Sequence, residues 1–156
     1  MVVVVIAAAL PIFAPMKRIL ILNGPNLDLL GTREPHIYGS RSFADFLGEL
    51  QGRFPDLTIA YRQSNAEGEL VTWLREANGT QDAVVFNPAG YSHTSVALRD
   101  TITVLEIPVV EVHISNIHAR EEFRHNTLTG AGCAGVITGF GLEGYALAIQ
   151  HLLQST

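Results

Sequence analysis

Ile19-Leu20-Ile21-Leu22 is a continuous apolar run, and Asn23-Gly24-Pro25-Asn26-Leu27 follows it directly. Such a run is typical of a parallel strand that is buried on both faces. The segment from there to Gly39 is rich in polar side chains, among them Asn26, Arg33, Glu34, His36 and Tyr38. An α/β protein usually places its chemistry in a loop of this kind, straight after a buried strand. A solvated surface loop is the alternative that this stretch alone leaves open.

The composition indicates a single folded domain. The chain has 156 residues, of which 47% are hydrophobic and 16% are charged, so it can bury a sizeable core. Its formal net charge of -5 argues against nucleic acid or an anionic membrane surface as the main partner. An anionic substrate would have to be attracted by a few local arginines. The single cysteine, Cys133, excludes an internal disulfide, and its small neighbours favour a buried, inert thiol.

Residues 1–15 are almost wholly apolar. The run is shorter than the roughly 20 residues of a membrane-spanning helix, and Pro11 and Pro15 interrupt it. It also lacks the positively charged start of a signal peptide. We expect Met16 to be the natural start, with residues 1–15 an upstream extension that need not be native. Residues 16–156 would then form a single catalytic α/β domain, without membrane contact and located in the cytoplasm.

Strands and helices alternate along the rest of the chain. Besides 19–22, the apolar pattern predicts strands at 57–61, 83–86, 109–114 and 134–137. It predicts helices at 43–54, 67–78, 93–105, 120–123 and 142–153. Ser42 is predicted to cap the first helix at its N-terminus, and Gly79 to end the second. The inward-facing residues of the third and last helices are predicted to be Val96, Ala97, Ile102, Leu105, Tyr145, Leu147, Ala148, Ile149 and Leu152.

This alternation predicts a doubly wound, flavodoxin-like α/β fold with a five-stranded parallel sheet in the order 2-1-3-4-5. Ligands of such sheets bind outside the carboxyl ends of the strands, where the strand order reverses. That rule places three segments on one rim of the sheet: 23–38, 87–93 and 113–116. Their convergence weakens the surface-loop alternative.

The residues on this rim suit acid–base chemistry. The chain has no P-loop, HExxH or GxSxG motif, and no GxGxxG after the first strand. His93 and His113 lack a third ligand at a spacing suited to a metal. Arg33 lies five residues before Tyr38, where a guanidinium would favour the phenolate. His113 could donate a proton, although a hinge tyrosine and a satisfied core histidine stay open as alternatives.

Three motifs, in the same order, resemble those of the type II 3-dehydroquinate dehydratases. They are NGPNLDLLG with REP and YG (23–31, 33–35, 38–39), NPAGYSHTS (87–95), and EVHISNI with REEFR (111–117, 120–124). The similarity runs from about Lys17 to the C-terminus. In two places the chain departs from the family: Asn126-Thr127-Leu128-Thr129 stands where a serine–tyrosine stretch is usual, and Asp28 replaces a more usual asparagine. We expect altered subunit contacts or loop packing from these departures.

The resemblance implies dehydration of 3-dehydroquinate to 3-dehydroshikimate, without a cofactor or metal, in the shikimate pathway or in quinate breakdown. Tyr38 would be the base, and His113 the acid of an anti elimination through an enolate. Arg33 would support the tyrosinate, and Asn26 would orient a water that stabilises the enolate. The residues that bind this small anionic substrate would be Asn87, His93, Asp100, Ile114, Ser115 and Arg124. Members of the family assemble as homododecamers, which are tetramers of trimers.

Two local expectations accompany these assignments. The backbone amides after His113 are expected to lie at the start of a helix and to bind an anion there. The alternative for Ser115 is that it is an ordinary N-cap of that helix. Asp100 lies seven residues beyond His93, so both are expected on one side of the third helix. The alternatives for Asp100 and Arg124 are an exposed helix charge and a surface salt bridge.

Two other classes of function fit the same fold. One is a binding module for FMN or a nucleotide, but Pro25 removes a backbone donor from the loop that would hold the phosphate. The other is a phosphoacceptor signalling domain, which needs an acidic cluster at the ends of the first and third strands. Those ends carry Asn26, Asp28 and Asn87, a poor match.

Overall fold

The computed structural model describes residues 16–32 and 41–154. Its sheet has five parallel strands: β1 (Arg18–Asn23), β2 (Thr58–Gln63), β3 (Ala83–Asn87), β4 (Val109–His113) and β5 (Gly135–Thr138). Their order is β2-β1-β3-β4-β5, which confirms the predicted doubly wound, flavodoxin-like α/β fold. The order reverses between β1 and β3, so the carboxyl ends of these two strands mark the expected position of a ligand.

The described residues form four α-helices: α1 (Phe43–Arg53), α2 (Glu67–Thr80) and α3 (Val96–Thr103) connect successive strands from β1 to β4, and α4 (Glu143–Gln154) follows β5. Ser42 caps α1 as predicted, because its side chain accepts a hydrogen bond from the Asp45 amide. The prediction that Gly79 ends the second helix is wrong by two residues, since α2 continues to Thr80 and its C-cap is Gln81. The predicted helix after β4 is instead a pair of 3-10 turns, Ile117–Ala119 and Glu122–Arg124.

The third helix begins later than predicted, and its inward-facing residues differ from those predicted. A 3-10 turn, Ala89–His93, precedes it, and α3 starts at Val96. Val96 is 57% exposed and Ala97 is also exposed, so their predicted inward orientation is wrong. Leu98 occupies the inner face instead. In the last helix, Leu147 was predicted to pack inward and is 39% exposed.

Two hydrophobic clusters cover the two faces of the sheet. Alternate residues of β1 point to opposite faces, so Ile19 and Ile21 join one cluster while Leu20 and Leu22 join the other. The first cluster includes side chains of α1 and α4, and the second includes side chains of α2 and α3. Cys133 packs against the second cluster and is half-buried, less than predicted. Desolvation raises the pKa of its thiol, as expected of an inert cysteine.

Within residues 16–32 and 41–154, every helix is too short or too polar to cross a membrane.

Candidate active site

The carboxyl ends of β3 and β4 and the loop after β1 meet at a cleft of about 410 Å³ that is open to solvent. Each of the three segments predicted to share one rim contributes to it. The lining residues on which the site is built are Leu27 after β1, Asn87 at the end of β3 with His93 beyond it, His113 at the end of β4 with Ser115 beyond it, and Arg120 and Arg124 from the turns that follow. The structure therefore brings together most of the predicted site within one chain.

The loops after β1 and β3 pack closely against each other next to the cleft. The Gly24 amide donates to the Asn87 carbonyl at 2.7 Å. A Cβ on Gly24 would lie 2.6 Å from the carbonyl oxygen of Pro88, so the loops can meet only at a glycine.

Asn26 follows in the left-handed conformation (φ 65°), and its amide donates to Asn65 Oδ1 at 2.9 Å. The Asn26 side chain is exposed and is not among the described residues that line the cleft.

Beside the cleft lies a buried carboxylate, Glu111, that was not among the predicted site residues. Glu111 is fully buried, and its Oε1 lies 2.6 Å from His113 Nε2. Ser92 Oγ donates to the same oxygen at 2.8 Å, and Thr129 Oγ1 donates to Oε2 at 2.5 Å. Charge on a buried carboxylate is tolerated when donors of this kind converge on it. The alternation of side chains along β4 could have revealed this pair, since residues two apart share a face.

The contacts of Glu111 fix the tautomer of His113. An ionised carboxylate can only accept hydrogen bonds, so the hydrogen between the two groups belongs to Nε2 of the ring. The other ring nitrogen, Nδ1, is left to exchange a proton with a ligand. His113 is 6% exposed and lines the cleft. A histidine that lines a cleft and is held by a carboxylate can act as a general acid.

The stretch that departs from the family pattern packs beneath this pair. The amide of Leu128 donates to the Ser92 carbonyl at 2.7 Å, next to the bond from Thr129 to Glu111. Residues 126–129 therefore supply one of the hydrogen bonds that hold the buried carboxylate, and the altered loop packing expected of this departure stays a prediction.

His93 presents a hydrogen-bond acceptor to the cleft. Its ring lies 6.1 Å from that of His113, nearly parallel to it. Its Nδ1 lies 2.9 Å from the carbonyl oxygen of Asn126, which only accepts, so Nδ1 carries the hydrogen. Burial lowers the pKa of His93; nearby His113 and Arg124 act in the same direction, and the bond to Asn126 opposes them. A neutral ring with a free Nε2 lone pair suits a substrate hydroxyl.

Two arginines give the cleft a local positive charge within an acidic protein. Arg124 Nε donates to Glu121 Oε2 at 2.8 Å, and Arg120 Nη1 donates to Ser115 Oγ at 3.4 Å. The described residues that line the cleft include no carboxylate. The site therefore suits an anion, as predicted. Arg120 was not selected from the sequence, although its spacing of four residues from Arg124 was a usable signal.

The prediction that a helix opens after His113 is wrong, whereas the role of the Ile114 and Ser115 amides as an anion seat stays a prediction. The helical segment there is a 3-10 turn of three residues, Ile117–Ala119, which is too short for an appreciable dipole. Its N-cap is Asn116, which accepts from the His118 amide, so Ser115 is not the cap. Ile114 and Ser115 nevertheless line the cleft.

Asp100 lies apart from the other predicted ligands. It is exposed on α3, 3.7 Å from an Arg99 guanidinium nitrogen, and does not line the cleft. His93 belongs to the 3-10 turn before α3, so the two residues do not share a helix face as expected. The role predicted for Asp100 stays a prediction.

The predicted base, Tyr38, and its partner Arg33 lie outside the described residues. The described part of the chain holds no group of three or more His, Cys, Asp and Glu side chains suited to a metal ion.

The chain matches the family model "Dehydroquinase class II" over residues 17–153. It is 53% identical over 137 residues to the 3-dehydroquinate dehydratase of Salinispora arenicola, covering 86% of this chain and 96% of that protein. It is 47% identical over 138 residues to the catabolic 3-dehydroquinase of Emericella nidulans, covering 87% and 90%. The crystal structure of the type II dehydroquinase from Propionibacterium acnes superposes with a TM-score of 0.84 at 44% identity, covering 90% of this chain and 99% of that one. This chain belongs to the class II dehydroquinase family.

Proposed function

We propose that this chain converts 3-dehydroquinate to 3-dehydroshikimate and water. The observation that carries the proposal is the buried Glu111–His113 pair beside a cleft with two arginines, in a member of this family. The substrate is a carboxylate with a ketone two carbons away from a tertiary hydroxyl. Its dehydration needs a base, an acid and a seat for an anion.

In the proposed mechanism, Tyr38 as tyrosinate removes a proton from C2, and the electron pair moves onto the ketone oxygen at C3. When this enolate collapses, the C1–C2 double bond forms and the C1–oxygen bond breaks. His113 gives a proton to the departing hydroxyl, which leaves as water. Arg33 supports the tyrosinate, and Asn26 orients a water that stabilises the enolate.

Glu111 supports the acid in this mechanism. A carboxylate 2.6 Å from Nε2 stabilises the doubly protonated ring from which the proton is given. It also holds the ring so that Nδ1 is the nitrogen that faces the reaction.

The remaining predicted residues bind the substrate. Arg124 and the backbone of Ile114 and Ser115 hold the carboxylate, while Asn87 and His93 bind hydroxyls. Arg120 adds positive charge beside them. Asp100 is kept in this set as a prediction, although it lies outside the cleft of its own chain.

Stereospecific deuterium labelling tests whether the reaction occurs and whether the elimination is anti. The experiment uses two samples of 3-dehydroquinate, each deuterated at one of the two C2 positions, and reads the product by proton NMR. An anti elimination removes the label anti to the C1 hydroxyl and keeps the other. No product from the folded protein would overturn the proposed function, and loss of the syn label would overturn the mechanism alone.

The names of two relatives support two metabolic roles for this chain. One relative is named 3-dehydroquinate dehydratase and another catabolic 3-dehydroquinase, so biosynthesis of aromatic amino acids and quinate breakdown both fit. Growth of a deletion strain on quinate, compared with growth without aromatic amino acids, separates the two roles.

We also propose that the chain assembles as a homododecamer, a tetramer of trimers. Three exposed apolar side chains support association: Phe123 (66%), Phe140 (64%) and Val136 (42%). Light scattering should give about twelve times the mass of one chain, and a monomer would overturn this part of the proposal. Cell fractionation tests the cytoplasmic location.

A further inference from the structure

The geometry points to Tyr145 as a positioning residue for Asn87, one that fixes how the Asn87 amide is presented to the substrate. The inference rests on the proposed function, in which Asn87 binds a substrate hydroxyl. Tyr145 lies on α4 and is not among the described residues that line the cleft, whereas Asn87 is. Tyr145 therefore acts through Asn87 and not by touching the substrate.

The direction of the hydrogen bonds follows from the one group that can only donate. The backbone N–H of Ala89 lies 3.1 Å from the Asn87 side chain, so the atom that faces it is Oδ1. The Asn87 Nδ2 consequently donates to the Tyr145 hydroxyl at 3.0 Å. The Tyr145 hydroxyl in turn donates to Asn23 Oδ1 at 2.8 Å. Each bond of this chain sets the polarity of the next.

Burial makes this arrangement rigid. Asn23 and Tyr145 are fully buried, and Asn87 is 3% exposed. Burial also raises the pKa of Tyr145, so its hydroxyl keeps the hydrogen that it donates. Breaking any bond of the chain would leave a buried polar atom without a partner, which is costly. The Asn87 amide is thus held in one orientation before a ligand arrives.

One hydrogen of Asn87 stays available in that orientation. An amide nitrogen carries two hydrogens, and the Tyr145 hydroxyl takes one. The other is preorganised for a hydroxyl oxygen of the substrate in the cleft. Helix α4 is therefore linked to substrate binding by two contacts: the hydrogen bond between Tyr145 and Asn87, and the hydrogen bond that Asn87 would donate to the substrate.

The test is Tyr145→Phe, which removes one oxygen and keeps the ring. The ring packs edge-on against Phe43 at 5.1 Å, and phenylalanine retains that contact. We expect KM for 3-dehydroquinate to rise about tenfold, while kcat stays within about twofold, because binding is lost equally in ground and transition states. The matched control is Thr101→Val, which loses a buried hydroxyl bonded at 2.8 Å to the Ala97 carbonyl in α3. We expect its KM to be unchanged.

A double-mutant cycle with Asn87→Ala separates positioning from general loosening of the fold. If Tyr145 acts through Asn87, adding Tyr145→Phe to Asn87→Ala should raise KM no further. An additional rise equal to that in the wild-type background would overturn the inference, as would an unchanged KM in Tyr145→Phe. Absence of turnover in the wild-type chain would instead overturn the proposed function, and the inference with it.

A second variant covers the case in which Tyr145→Phe does not fold. Asn23→Ala removes the acceptor at the other end of the chain and frees the Tyr145 hydroxyl to turn away from Asn87. It should raise KM in the wild-type background and not in Asn87→Ala. Equal increases in both backgrounds would contradict the positioning role.

Discussion

His113 Nε2 lies 2.6 Å from Glu111 Oε1, and both side chains are buried at the carboxyl end of β4. This contact joins the residue expected to give up a proton to a buried carboxylate that can stabilise its protonated ring. Because two hydroxyl donors also hold the carboxylate, Glu111 keeps its position when the proton leaves.

Replacing Glu111 by glutamine tests this relationship. Glu111→Gln keeps the shape of the side chain and removes its charge, so we expect kcat to fall by at least about tenfold with a smaller change in KM. Steady-state kinetics on folded protein provide the measurement, and Glu106→Gln, an exposed site, is the control. A kcat within twofold of wild type would show that the charge is not needed.

The packing of Gly24 against Pro88 predicts a loss of stability. In Gly24→Ala the new Cβ would meet the Pro88 carbonyl, at 2.6 Å from its oxygen and 2.7 Å from its carbon, so the loops must move apart. We expect a destabilisation of about 1–3 kcal/mol. Gly48→Ala is the matched control, because its Cβ would meet nothing within 4 Å on the exposed side of α1. It should stabilise by about 0.5–1 kcal/mol. Thermal unfolding at equal protein concentration compares the two, and equal melting temperatures would contradict the packing argument.

The pH dependence of stability should include a contribution from Asp82. The Arg18 guanidinium, 2.8 Å away, is the main cause that lowers the Asp82 pKa to about 2, and two backbone amides assist it. A carboxylate whose pKa is lower in the folded state stabilises the fold above its unfolded pKa of about 3.9, and loses that effect as the pH falls towards 2.

Asp82→Asn should therefore melt below wild type at neutral pH, with the difference shrinking between pH 4 and pH 2. The effect should be modest and reduced by salt, because the Arg18 side chain is 52% exposed. A difference in melting temperature that is constant across this pH range would contradict the assignment.

The sheet order was predictable from the sequence because buried parallel strands leave a local signal. Residues 19–22 and 83–86 are apolar on both faces, and helices with one apolar side separate them. The alternation of these elements then restricts the topology to few arrangements. The rim of the sheet followed from the same rule, which is why Asn87, His93 and His113 were correctly placed together.

Other features depend on contacts that sequence spacing does not reveal. The partners of Glu111, Ser92 and Thr129, come from segments 18 or more residues away. The start of α3 was placed near His93, which belongs instead to the 3-10 turn Ala89–His93, and the helix begins at Val96. Val96 was assigned to the inner face because it is apolar, but the buried residues of α3 are Leu98, Thr101 and Ile102.

The rate at which 3-dehydroquinate becomes a conjugated enone is the most direct test of the account. Ultraviolet absorbance follows the product as wild-type chain and Tyr38→Phe are each mixed with substrate. We expect wild type to form the enone. We expect Tyr38→Phe to form none while it still binds a substrate analogue, because only the proton acceptor is lost. No enone from folded wild-type protein, or a wild-type rate in Tyr38→Phe, would contradict the account.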